Sequence, residues 1–80
     1  MNKFVKKLLH PSAKKTALYL RASELQRQAD LNKEYASAAL RTFAATGRES
    51  SLRAEARFLA VAKHKEEQVR RMLDKAINAD

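Results

Sequence analysis

Only two residues in this chain, Pro11 and Gly47, are built to stop a helix, and the other positions among its eighty residues include no second glycine or proline. A sheet protein needs turn chemistry roughly every 8–12 residues, and these gaps are far longer. The stretches between are rich in Ala, Leu, Lys, Arg, Glu and Gln, the strongest helix formers. The chain is therefore expected to be all-α.

The two breaks set the organisation. Residues 3–9 form a short amphipathic helix on this reading, with Phe4, Leu8, Val5 and Leu9 on one side and Lys3, Lys6 and Lys7 toward the other. Pro11 ends it, because the residue before a proline is pushed out of helical geometry. A long helix then covers about residues 12–45, and a second covers about 50–77. Gly47 suits the C-terminus of the first, while Ser50, Ser51 or a Thr46-x-x-Glu49 capping box starts the second. Residues 1–11 are thus a basic amphipathic arm and residues 12–80 a hairpin.

Matching seams argue that the long helices pack antiparallel. Leu18, Ala22, Leu25, Ala29, Asn32, Ala36, Ala39 and Phe43 alternate spacings of four and three, the heptad rhythm of a packed helix pair. Leu52, Leu59, Ala62, Val69, Leu73 and Ala76 keep the same rhythm on the second helix, with Glu55 and Glu66 at the remaining positions. Alanine on the seam lets two backbones approach closely. Asn32, Glu55 and Glu66 read either as register markers or as residues at the solvated edge.

The first long helix carries a second apolar set. Ala13, Ala17, Leu20, Leu31, Tyr35 and Ala38 fall on the side away from the seam, and a helix apolar on two sides is buried on two sides. The opening arm covers part of that length at most. Completion by oligomerisation or by a protein partner is expected, with Phe4, Leu8, Leu20, Leu31 and Tyr35 at the interface.

Charge points to the chemistry of a partner. No acid occurs before Glu24, while Lys3, Lys6, Lys7, Lys14, Lys15 and Arg21 precede it, so most of the net charge of +8 sits at one end. On the second long helix Arg53, Arg57, His64, Arg71 and Lys75 share one face over about 33 Å. Lys3, Lys6, Lys7, Lys14, Lys15, Arg53, Arg57, Arg71 and Lys75 are accordingly the candidate contacts to nucleic acid or another polyanion. The opening arm alone fits three roles: a strand-tracking basic arm, a cap packed on the hairpin, or a membrane-surface helix, the last burying little area.

Catalysis finds no support in the residues. His10 and His64 stand in no metal-ligand spacing, one glycine excludes a glycine-rich phosphate loop, and the serines lack a base or oxyanion context. No catalytic, cofactor-binding or metal-ligating residue is assigned, and no small-molecule substrate is expected. The absence of cysteine removes disulfides and thiolate chemistry and is compatible with a reducing compartment. The longest apolar run, Phe58-Leu59-Ala60-Val61-Ala62, falls far short of the roughly 20 residues of a span, and Lys6 and Lys7 interrupt what would be a signal-peptide core. The sequence thus predicts a non-enzymatic structural or accessory protein in the cytoplasm, or in a particle assembled there, that docks into an oligomeric, nucleoprotein-like or virion-like assembly. A nucleic-acid-binding regulator is the alternative, and a peripheral membrane binder a third.

Overall fold

The computed structural model describes residues 13–78, which form two helices, α1 (Ala13–Thr46) and α2 (Glu49–Asn78). They pack against each other as an antiparallel hairpin. The opening amphipathic segment, with its Phe4 and Leu8 contacts and its lysines Lys3, Lys6 and Lys7, lies outside the described residues. At 1.5 Å per residue the 34 residues of α1 and 30 of α2 give rods of about 50 and 45 Å.

The turn is closed by Gly47 at φ 70°. That left-handed conformation costs a residue with a Cβ roughly 1–2 kcal/mol and costs glycine nothing comparable. Its N–H donates to the Phe43 carbonyl at 2.7 Å, which satisfies one of the carbonyls left open at the end of α1. The serines expected to cap α2 do not start it. The helix begins at Glu49, and the Arg48 N–H is instead taken by the Thr46 hydroxyl oxygen at 3.3 Å, while that hydroxyl donates to the Thr42 carbonyl at 2.7 Å. Glu49 in the first turn and Lys75 in the last complement the dipole of α2.

The α1 seam faces α2 as its heptads require. Ala22, Leu25, Ala29 and Ala36 are buried, and Leu18, Asn32, Ala39 and Phe43 are half-buried along the same line. Asn32 does not set register across the pair, since its amide donates to the Gln28 carbonyl of its own helix.

The α2 seam differs from the expected one. Ala62, Val69 and Ala76 are buried as the rhythm requires, but Leu52, Leu59 and Leu73 remain 41%, 46% and 37% exposed. Ser51, Phe58, Lys65 and Met72 take the inner positions instead, and Met72 packs on the cluster of Ala22, Leu25 and Val69. Two heptad lines share Glu55, Ala62, Val69 and Ala76, and α2 is rotated toward the line containing Lys65. A long lysine stem can lie along a seam while its head reaches out. Here the Lys65 ammonium donates to the Gln28 side chain at 2.8 Å. Glu66 is correspondingly shifted to the flank, where it pairs with Lys33 at 3.0 Å rather than with Arg70 of its own helix.

Tyr35 also departs from expectation. Its ring lies 5.4 Å from that of Phe58, so it flanks the helix contact and does not stand on the reverse of α1. Leu20 is on the outer edge, 67% exposed.

Leu25 is the largest fully buried side chain. Truncation to alanine should cost about 2–4 kcal/mol, and Gly47→Ala about 1 kcal/mol, because open space surrounds the added Cβ and only the backbone conformation resists it. Urea midpoints of the two variants, measured at constant m-value, check both the values and their order.

Candidate polyanion-binding face

A two-helix hairpin has two broad faces, and the cross-hairpin contacts define them here. Gln28 with Lys65 and Tyr35 with Phe58 mark one. Lys33 with Glu66 marks the other. Helical spacing then assigns the remaining residues, since positions one heptad apart share a face.

The Gln28 side is basic. From α1 it receives Lys14 and Arg21, two heptads and one heptad before Gln28, and from α2 it receives Arg57, His64, Arg71 and Lys75, all exposed. Lys14 and Lys75 line one groove at the open end of the hairpin, together with Leu18, Asp74 and Asn78. Of the candidate contacts on α2, Arg53 sits at the outer edge beside this face. None of Arg53, Arg57, Arg71 and Lys75 forms an ion pair among the described residues. Lys15 is not part of the face, because it stands in register with Ala22 and is half-buried along the seam. Arg21 belongs to it although the row on α2 alone did not indicate it; the signal was the heptad spacing Lys14, Arg21, Gln28.

Acid is scarce on this side. Asp74 stands at the rim of the open end, and Glu24 is the one carboxylate within the face among the described residues. Glu24 accepts two bonds from Arg27, at 2.7 and 3.0 Å, and one from the Gln28 amide at 3.0 Å. These bonds, those from Arg27 first, lower its pKa to about 2, and the nearby charge of Arg21 acts in the same direction. Glu24 is therefore engaged by an arginine from the outer edge of α1, and the facing row on α2 keeps its positive potential.

Of the expected interface residues, Leu20, Leu31 and Tyr35 are among the described ones and are divided between the basic side and the outer edge. Leu31 is half-buried and Tyr35 half-exposed on the basic side, with Val61 of α2 on the same side, while Leu20 points from the outer edge. Among the described residues no three His, Asp or Glu side chains gather as a metal site, and no helix is long and apolar enough to cross a membrane.

The depressed pKa of Glu24 has a defined pH consequence. Its contribution to stability is complete above the ordinary carboxylate range and is lost as pH falls toward 2. The side-chain carboxyl carbon resonance should titrate with a midpoint near 2, and Arg27→Ala should move that midpoint up toward the ordinary range. An unchanged midpoint in the variant would show that Arg27 is not the cause.

No protein-family model, curated protein or solved structure matches this chain, so a function is inferred from the two faces of the hairpin themselves.

Proposed function

We propose that this protein is a non-enzymatic accessory component of a larger assembly, a helical hairpin that docks by holding a polyanion, nucleic acid above all, against its basic face. The observation that carries the proposal is the concentration of Lys14, Arg21, Arg57, Arg71 and Lys75 on one broad side, where the acids among the described residues are Glu24, already bound by Arg27, and Asp74 at the open end beside Lys14 and Lys75.

The geometry suits a backbone ligand. Arg57, His64 and Arg71 recur at about 10.5 Å intervals and the row to Lys75 extends about 27 Å along a straight helix. A rod of this kind tracks phosphates and reads no particular base, so binding is electrostatic and driven by counterion release. Leu31, Tyr35 and Val61 on the same side add apolar contact, and exposed Leu20 adds a second point of attachment to a neighbouring subunit. In the sequence ahead of α1, Lys3, Lys6 and Lys7 add further positive charge to the chain.

Fluorescence anisotropy with a short DNA duplex tests the proposal. Five engaged bases give a slope of log affinity against log salt of about −4.5. Arg57→Glu with Arg71→Glu should weaken binding at least tenfold and reduce that slope by about 2, whereas Arg41→Glu with Arg48→Glu, away from the face, should have a small effect. Equal losses in the two pairs, or binding confined to anionic lipid vesicles, would sink the reading.

A further inference from the structure

The side of the hairpin opposite the basic face carries a ladder of large apolar residues that no other described residue covers. Tyr19 and Leu40 of α1 and Leu52, Leu59, Leu73 and Ile77 of α2 are between 37% and 68% exposed. Three of the six arrive there because the rotation of α2 that draws Phe58, Lys65 and Met72 inward turns Leu52, Leu59 and Leu73 out. Scattered exposed leucines are ordinary, but six large apolar side chains on one side of so small a protein mark an interaction surface.

Their arrangement identifies the occupant. At the centre stands the Lys33–Glu66 pair. One heptad toward the turn on each helix are Leu40 and Leu59, and one heptad the other way are Gln26 and Leu73, which line a common groove with Tyr19, Ala22, Ser23 and Val69. We propose that a second copy of this chain covers this face, related by a two-fold axis parallel to the helices, so that α1 of each copy lies antiparallel to α2 of its partner in a four-helix bundle. The rotation preserves height along the axis. It therefore sets Lys33 against the partner's Glu66 and Glu66 against the partner's Lys33, with Leu40 over the partner's Leu59. A two-fold axis across the hairpin would set Lys33 against the partner's Lys33, a like-charge contact. The Lys33–Glu66 pair thus favours the first orientation over a crosswise axis at its own level, and the same patch serves both copies, as an isologous interface requires.

Reach and size agree with a second copy. Leu40 lies about 40 Å along α1 from Ala13, whereas the twelve residues before Ala13 would span about 18 Å as a helix. The opening segment, if helical, cannot cover the turn-proximal leucines. Two helices about 45 Å long and roughly 9 Å apart present on the order of 800 Å², the area per partner of a standard stable interface. The dimer leaves both basic faces outward, so it does not depend on polyanion binding and is measured without it.

The test is sedimentation of the nuclease-treated full chain at high salt. The expected mass is twice the 9.1 kDa of one chain at tens of micromolar. Leu40→Asp with Leu59→Asp should give a monomer, while Ala60→Asp, exposed on the outer edge of α2, should leave the dimer intact. Circular dichroism reports whether the double variant keeps its helices. If it does not, cross-linking decides, made clean by the absence of native cysteine. A short thiol-reactive linker should join Leu40→Cys chains to Leu59→Cys chains in a mixture, and neither variant to itself. A monomeric wild type at 100 μM, a dimer untouched by the aspartates in a folded variant, or Leu40→Cys chains that link only to one another would overturn the proposal. So would a wild type that dimerises only after residues 1–12 are removed, since the opening segment would then be the occupant.

Discussion

The hairpin depends on a seam built largely from alanine. Ala22, Ala29 and Ala36 of α1 and Ala62 and Ala76 of α2 are buried, with Leu25 and Val69 the only larger side chains buried among the described residues. Small side chains let the helices approach closely, but each buries little area, so the pair gains much of its attraction from backbone proximity and the flanking stems. A shallow seam also leaves the rotation of each helix weakly constrained by volume. Whatever sets the rotation then decides which residues become surface.

On α2 that decision falls to polar groups. The two heptad lines through Ala62 and Val69 differ in carrying either Ser51, Phe58, Lys65 and Met72 or Leu52, Leu59, Glu66 and Leu73. Counting apolar residues favours the second line. Yet a short carboxylate on the seam is desolvated without being able to reach out, whereas a lysine places its stem inside and its charge outside. The observed rotation obeys the polar requirement and gives Phe58 the Tyr35 ring as a neighbour.

This explains how far the sequence could be read. The seam of α1 was legible residue by residue, because one unbroken heptad line ran from Leu18 to Phe43 and no second line competed with it. The turn was legible at Gly47, the sole residue free to take a positive φ without strain, but its serines were not needed once Thr46 supplied the hydroxyl for Arg48. The α2 row of Arg57, Arg71 and Lys75 was legible because outward charge follows from helical spacing alone. Arg21 and the position of Tyr35 were not, since each acquires its meaning from the neighbouring helix. Leu59 and Leu73 were assigned to the core on hydrophobicity, and only the rotation set by Lys65 and Glu66 reveals them as surface.

The two faces are coupled through the same seam. The basic face draws residues from both helices, Lys14 and Arg21 on one and Arg57 and Arg71 on the other, and so does the apolar face. A polyanion laid across the first, or a second copy across the second, would bind the packed hairpin and not the separated helices, so either would raise hairpin stability by mass action. For a seam this shallow such a gain matters more than it would for a deep core. If packing is incomplete in the free chain, each partner removes part of the ordering cost that the other would meet, which is positive coupling without any new shape. In the proposed dimer the two basic faces point in opposite directions, and two segments of polyanion held by one bundle are brought together at a high effective concentration. In that proposed assembly a small hairpin with a narrow core would gain stability and a bridging geometry together.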